Sequence, residues 1–452
     1  MVDKKTVEAF ITSFGTKPDS LIQVPGRVNL IGEHTDYNGL PVLPISIPFT
    51  VKAAAAPRSD RAVHIMNSDT AYVSTSFELS DSIPHSQEGN WANYIKAAAQ
   101  AVVTSAGNNL NGMNTLFHGS IPLSAGLSSS SALVVASALS LLASNKKPID
   151  FKELAELLAV GEHYVGTQGG GMDQAICLLG KKDHAVKIDF FPLRLSYIPF
   201  PQDFSIVVAH SLVRAAKTEN ALLLYNRRPA ECRLATAIIN AVHTIDPPIQ
   251  RLGDLMAIPG YQSVLDTAER FVGETFTQNA YSLQKISDIT GETTEAVTDK
   301  YLMTRSGVPM PVPPEGFLIR QRALHVFSEA NRVEKSCKAL RDNDVKTFGS
   351  FMNESHESCD KQYGLSTPEL NELVSIMRNL GAVGARLTGA GFGGCAIALV
   401  RDDKVEKVID SIRETYYNGY IAQHRPGLLK DFTIDEILFA VKPAAGATVS
   451  TL

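Results

Sequence analysis

Cysteine is scarce in this chain, with five in 452 residues, at positions 177, 232, 337, 359 and 395. No two of them form a Cys-x-x-Cys pair, which argues against a disulfide framework and against the usual structural zinc site. Cys177, Cys232 and Cys395 sit among apolar or small neighbours and read as reduced core residues. Positive charge is also in short supply. Lys and Arg number 42 against 47 Asp and Glu, a net charge of −5. The pair Arg227-Arg228 is far too small a patch to track a nucleic-acid backbone. Apolar runs of ~18 residues, long enough to span a bilayer, are missing. Residues 1–15 carry lysines, then Val7, Phe10 and Ile11 at helical spacing with Glu8 interrupting, and so lack the apolar core of a signal peptide. Nor is there a Gly-x-x-x-x-Gly-Lys-Ser/Thr, which removes the P-loop enzymes. Internal repeats and low-complexity linkers are absent too. These gaps leave a reduced, cytoplasmic protein with no nucleic-acid or membrane partner; they do not fix the oligomeric state, for which a monomer is the favoured expectation.

What is present is ordinary in bulk. Hydrophobic residues make up 44% and charged residues 20%, enough for two or three domains with substantial cores. Residues 21–80 alternate short apolar runs with turn residues, a strand signal. Helical periodicity begins near Trp91 and runs through Val103, and MNTLFHG then reads as a strand. Helices follow to about Ala143 and from Phe151 to Val165, and residues 181–210 return to strands. From about Ala230 the chain turns mostly helical. The run Ala396–Val400 and the segment Ile437–Val441 are strand-like, and Gly446–Leu452 reads as a frayed tail. Strands with helices packed to one side, in two halves, predict an α+β fold, divided into residues 1–200 and 201–452.

One stretch concentrates chemistry. From Pro25 to Gly39 it packs Arg27, Glu33, His34, Asp36, Tyr37 and Asn38 beside the core-forming Val28, Leu30 and Ile31. Carboxylates and an imidazole following Gly32 at a strand end suit a polyhydroxylated ligand, since each sugar hydroxyl both donates and accepts. Arg27 adds a permanent charge and a rigid fork suited to phosphate.

A second stretch, Pro122–Ser131, places Gly126 before four serines and an apolar helix. The free N–H groups at the start of that helix would face an anion, and serine hydroxyls can ligate a hard cation. An ordinary serine N-cap explains the same pattern. Gly389-Ala390-Gly391-Phe392-Gly393-Gly394 has dinucleotide-like spacing, but a strand rather than a helix follows it, against that reading. Asp173 comes directly after Gly169-Gly170-Gly171-Met172. Three glycines permit backbone geometries closed to other residues, as a carboxylate aimed into a cleft can need. Glu162 ends a helix whose apolar face is Leu154, Leu157 and Leu158, where a surface glutamate would be the default.

The run Gly-Arg-Val-Asn-Leu-Ile-Gly-Glu-His-Thr-Asp-Tyr resembles the galactokinase signature, within the small-molecule kinases grouped with homoserine, mevalonate and phosphomevalonate kinases. Leu-Ser-Ala-Gly-Leu-Ser-Ser-Ser-Ser-Ala is similar to the second motif of that superfamily, and Leu-Thr-Gly-Ala-Gly-Phe-Gly-Gly-Cys to its third, whose glycines let one loop pack on the phosphate loop. The resemblance runs from Pro25 to about Pro443. It implies a ribosomal-protein-S5-like N-terminal domain and a ferredoxin-like C-terminal domain, with the site between. It further implies phosphoryl transfer from ATP, with magnesium, to the anomeric hydroxyl of galactose. Asp173 falls on the base and Arg27 beside it, while Glu33, His34, Thr35, Asp36 and Tyr225 fall on sugar contacts. Ser124, Ala125, Gly126, Leu127, Ser128, Ser129 and Ser130 fall on the ATP loop, and Trp91 and Tyr94 on the adenine pocket, although at i and i+3 plain core packing also explains that pair. Ser130 and Glu162 fall on magnesium ligands, with Ser129 and Ser131 as close competitors to Ser130. Tyr225 is expected just before a helix beginning near Glu231. The triple glycine, Glu231–Ala235 and Leu387–Cys395 are closer to the N-acetylgalactosamine kinase branch, whereas Thr35, Asn38 and Tyr225 are galactokinase-like. Two alternatives to galactose phosphorylation follow, an N-acetylgalactosamine 1-kinase and a non-catalytic galactose and ATP sensor.

Overall fold

Strand periodicity splits the first sheet between two covered faces. In β1 (Ser20–Asn29), Leu21 joins Phe10, Ala54 and Leu116 on one side, while Ile22, Val24 and Val28 enter the larger N-terminal core on the other. The amphipathic helix Lys4–Phe14 covers the first face through Phe10. Fully burying such a ring contributes about 1.5–3 kcal/mol. With both faces covered, β1 and β2 (Pro44–Pro57) are nearly continuous in burial. The computed structural model describes residues 4–107, 109–122, 126–166, 169–213, 219–304 and 307–452.

The remaining strands are β3 (Ala62–Asn67), β4 (Thr75–Glu78), β5 (Met113–Gly119), β6 (His184–Asp189), β7 (Arg194–Pro199), β8 (Phe204–His210), β9 (Gly384–Leu387), β10 (Cys395–Arg401), β11 (Leu438–Val441) and β12 (Thr448–Thr451). The first sheet has the order β12-β1-β2-β5-β3-β4, antiparallel except for the β3–β5 pair. Helices Ala92–Ala106 and Ser129–Ser144 pack on each other, and the second lies against β1 and β2. A β6–β7 hairpin is tied to this half through the Val42–Ile188 bridge.

The second sheet, β11-β8-β10-β9, is wholly antiparallel. Alternation along β10 sends Cys395, Ile397 and Leu399 to the N-terminal core, and Ala396, Ala398 and Val400 to the C-terminal one. That explains the unbroken apolar run, since a strand walled on both faces has no polar side. Mixed helices and strands in two cores match the α+β expectation. Residues 252–302 form short helical pieces around Tyr281, whose backbone bridges Phe317.

Two expectations are corrected. The helix carrying Tyr225 spans Glu219–His243 and includes Pro229, so Tyr225 lies inside it rather than before it. Proline supplies no N–H to the carbonyl one turn back, which is that of Tyr225. The helix continues because Ala230, Leu234, Ala235 and Ile238 are anchored in the second core. The tail, in turn, is not frayed. Thr448–Thr451 pairs with Gln23–Ser20 and satisfies the open edge of β1. All five cysteines are buried and unbridged. Among the described residues no helix is long and apolar enough to cross a membrane.

Candidate active site

Arg27 joins two of the three motifs. Its backbone N–H donates to the Leu127 carbonyl at 3.1 Å, and its Nη1 donates to the Gly126 carbonyl. Nε and Nη2 grip Asp173 side-on, at 2.8 Å to Oδ1 and 3.1 Å to Oδ2, the paired geometry in which guanidinium is strongest. Burial works against the Arg27 charge, but the carboxylates of Asp173 and Glu33 more than offset it and hold its pKa above the usual value. Ser128 completes the group by donating to Asp173 Oδ2 at 2.5 Å. The Asp173 side chain keeps 25% of its surface exposed, so it is held firmly and still reachable.

Glycines bring the loops this close. A Cβ on Gly26 would sit 2.7 Å from the Leu127 carbonyl oxygen, and one on Gly389 would sit 2.8 Å from that of Gly126. The third motif therefore packs on the second, as the resemblance implies. Thr388 adds hydrogen bonds to the N–H and carbonyl of Asn29. Ser128, in left-handed backbone geometry at φ +60°, leads into the helix Ser129–Ser144, with Ser129 and Ser130 half-buried in its first turn. Leu123, Ser124 and Ala125 lie outside the described residues.

Asp36 sits on the other side of Asp173. Its Oδ2 accepts from the Gly170 N–H at 3.0 Å. Desolvation pushes its pKa up to about 6, and the nearby Asp173 charge adds to the rise, while the N–H groups of Tyr37, Gly170 and Met172 partly oppose it. Tyr225 completes this wall. Burial, then the charges of Asp36, Asp173 and Glu162, raise its pKa, so the phenol remains a donor. Glu162 opens the single turn Glu162–Val165 after the helix Phe151–Gly161, and its charge also raises the pKa of Cys177. The charges of Asp36, Asp173 and Glu162 thus all reach the Tyr225 phenol.

Three residues expected at the sugar, Glu33, His34 and Thr35, are buried and bonded within the protein. Glu33 is 2% exposed, and its Oε1 accepts from Arg386 Nη1 at 3.1 Å and from the Gly389 N–H at 2.9 Å. His34 is 6% exposed at φ +61°, with Nε2 3.3 Å from the Ala390 carbonyl and Nδ1 2.9 Å from the Tyr37 hydroxyl. A carbonyl only accepts, so Nε2 carries the proton and Nδ1 accepts from Tyr37. Burial, with His325 and Arg228 nearby, lowers the His34 pKa to about 3 and keeps the ring neutral. Thr35 is turned inward altogether. Its side chain is fully buried, with the hydroxyl 2.7 Å from the Pro41 carbonyl and 3.0 Å from that of Gly32, so it braces the turn.

Trp91 and Tyr94 are half-buried against the N-terminal core, and the Trp91 indole donates to the Val73 carbonyl at 3.0 Å. Sequence reasoning missed the supports. Tyr363 is 2.8 Å from the Tyr37 hydroxyl and 3.2 Å from the Cys232 thiol, and Arg386 pairs with Glu33. Glu329 accepts from the Gly32 N–H at 2.9 Å, and His325 donates to the Glu33 carbonyl at 3.1 Å. Only Arg386 carried a signal, standing immediately before the third motif.

Three family models match the chain: the galactokinase galactose-binding signature at residues 8–57, the GHMP kinases N terminal domain at 93–181 and the GHMP kinases C terminal at 337–418. A galactokinase of Dictyostelium discoideum is 34% identical over 96% of this chain and 91% of its own length. The chain belongs to the galactokinase family. A Saccharomyces cerevisiae galactokinase is 31% identical over 99% of this chain and 94% of its own length. Among solved structures, Lactococcus lactis galactokinase complexed with galactose superposes with a TM-score of 0.74 at 27% identity. That match covers 99% of this galactokinase-family chain and all of the other. A mevalonate kinase with a TM-score of 0.51 and 17% identity shares the fold.

Proposed function

We propose that this chain transfers the γ-phosphoryl group of ATP to the anomeric hydroxyl of galactose, giving galactose 1-phosphate and ADP. The observation that carries the reading is the Arg27–Asp173–Ser128 cluster at the start of the helix Ser129–Ser144, with Asp36 and Tyr225 beside it. Asp36 and Tyr225 offer an acceptor and a donor to the sugar hydroxyls, while Glu33 and His34 form the wall behind them. Asp173 accepts the anomeric hydrogen bond and takes the proton as that oxygen attacks the γ-phosphorus. The bond to the bridging oxygen breaks and its electron pair leaves with ADP. Arg27 and the helix N–H groups face the charge that spreads over the moving phosphoryl group. Trp91 and Tyr94 are proposed to flank the adenine.

Magnesium fits the donors present. Magnesium bound with a nucleotide is held by one or two protein oxygens plus phosphate. The Ser130 hydroxyl and the Glu162 carboxylate are hard donors of that kind. When bound, the ion supplies positive charge to the β- and γ-phosphates. In a coupled assay, ADP release should require galactose and magnesium together. Ser130→Ala and Glu162→Gln should each need several-fold more magnesium for half-maximal rate, with galactose binding little changed. Titrations that overlay wild type refute the ligand assignment.

Asp36 gives a pH signature with two opposite signs. With its folded pKa near 6, the acceptor carboxylate is lost below that pH, so kcat/KM for galactose should fall as pH drops through about 6. Stability moves the other way. A carboxyl whose folded pKa is raised above its unfolded value (~3.9) stabilises the fold most below the unfolded pKa, and that contribution fades as pH rises through about 6. The stability of wild type relative to Asp36→Asn should therefore decline between about pH 4 and pH 6. A flat difference over that range contradicts the assignment.

A further inference from the structure

We propose that Tyr164 is a positioning residue for the Glu162 carboxylate, acting through its hold on residues 81–87. The proposal rests on the reading of Glu162 as a magnesium ligand. Both residues belong to the single turn Glu162–Val165, which packs on the helix Ala92–Ala106. One turn makes too few internal hydrogen bonds to fix its own orientation, so that orientation comes from what its side chains grip. Tyr164 grips residues 81–87 twice. Its hydroxyl donates to the Ile83 carbonyl at 2.9 Å. Its ring stacks on the His85 imidazole, with centroids 3.8 Å apart and planes 14° from parallel.

The segment that Tyr164 grips is itself fixed, although it forms neither helix nor strand. Asn93, Lys96 and Gln100 stand on one face of Ala92–Ala106 and take its polar groups. Asn93 Oδ1 accepts from the Ser86 N–H at 2.8 Å, and Nδ2 donates to the Ser86 and Gln87 carbonyls at 3.3 and 3.2 Å. The Lys96 ammonium donates to the Pro84 carbonyl and the Ser86 hydroxyl, both at 2.8 Å. Gln100 accepts from the Ile83 N–H at 2.8 Å and donates to the Asp81 carbonyl at 2.9 Å. Ile83 is sunk in the N-terminal core. Water ordinarily satisfies the backbone of a surface loop, so side chains committed to this one set its position. Residues 81–87 are thus a fixed anchor for the Tyr164 side chain.

The consequence falls on Glu162. Two residues separate it from Tyr164 within the same turn, so the direction of its carboxylate follows how that turn is held. Residues that orient a metal ligand from behind commonly change metal affinity ~10–100-fold when replaced. His85 is exposed and Tyr164 half-buried, so the stack can be removed without opening a core.

The test is calorimetric and needs no turnover. Adenylyl imidodiphosphate, an ATP analogue whose P–N bond resists transfer, is titrated into the full chain in magnesium and in EDTA. The ratio of the two Kd values is the gain due to the metal. Tyr164→Phe and His85→Ala should each cut that gain about threefold or more, and Tyr164→Ala about tenfold or more. The Kd in EDTA and the Kd for galactose should stay within about twofold of wild type. His85→Phe keeps a flat ring to stack and should retain the gain. Tyr197→Phe is the control, since it too removes a hydroxyl that donates to a carbonyl, that of Leu179, and it should leave the gain unchanged. Lower thermal stability with an unchanged gain in Tyr164→Phe, or an equal loss in the control, overturns the positioning role. Glu162→Gln separates the two layers. Loss of the gain there but not in Tyr164→Phe overturns the positioning role alone, whereas a full gain in Glu162→Gln overturns the magnesium reading and the role with it.

Discussion

Asp173→Asn should reduce galactose phosphorylation by at least a hundredfold, and by as much as ~10⁴-fold, while the chain remains folded. The amide matches the carboxylate in size but cannot take the anomeric proton, and loss of a positioned general base commonly costs ~10²–10⁴ in rate. A second consequence follows from the geometry. Arg27 is buried, and Asp173 is the carboxylate it grips. The amide keeps one acceptor oxygen but no charge, and Ser128 loses its charged acceptor. Some loss of thermal stability should therefore accompany the loss of rate, although the exposure of Asp173 limits it. Galactose affinity should change far less than kcat. Retention of more than a tenth of the wild-type rate rules Asp173 out as the group that handles the proton.

Gly170→Ala should be nearly as damaging, although it adds one methyl group and alters no charge. A Cβ there would lie 2.2 Å from the Tyr37 nitrogen and 2.3 Å from the Asp36 carbonyl carbon. Both are backbone atoms, so no side chain can swing aside and the turn itself must move. That displacement breaks the Gly170 N–H bond to Asp36 Oδ2 and shifts the carboxylate relative to Asp173. Overpacking costs about 1–3 kcal/mol of stability, and a misplacement of about 1 Å can cost 10²-fold in rate. We expect kcat/KM for galactose to fall at least a hundredfold. Gly169→Ala is the matched control, because its added Cβ meets nothing within 4 Å, and it should stay within threefold of wild type. Equal effects at the two positions contradict this account of the turn.

How much of this was legible in the sequence depends on range. Each motif announced its own chemistry, because Arg27, the serines and Asp173 stand beside glycines whose backbone freedom has local causes. The glycines also signalled close approach, and the Gly389 contact with Gly126 fits that signal. Pairings between residues far apart in the chain left no such mark, even where one partner, Arg386, stands beside a motif. Arg386 meets Glu33 across 353 residues, and Tyr363 meets Tyr37 across 326. No periodicity or spacing encodes pairs at that separation. The bracing of the turn by the Thr35 hydroxyl was likewise not legible, since its partner carbonyls, Gly32 and Pro41, carry no side-chain signal. The helix expected to begin near Glu231 and the tail expected to fray both differ because local propensity is overridden by packing. Core contacts carry the helix through a proline, and an open sheet edge orders a tail of small polar residues.

The central claim is tested most directly by the product. The purified chain is incubated with ATP, magnesium and a panel of hexoses including N-acetylgalactosamine, and products are read by mass and phosphorus NMR. The account predicts one phosphate on the anomeric oxygen of galactose, with kcat/KM for galactose above that for N-acetylgalactosamine. Phosphate on another oxygen, no transfer to any hexose despite measurable sugar binding, or a tenfold preference for N-acetylgalactosamine, about 1.4 kcal/mol, would contradict it.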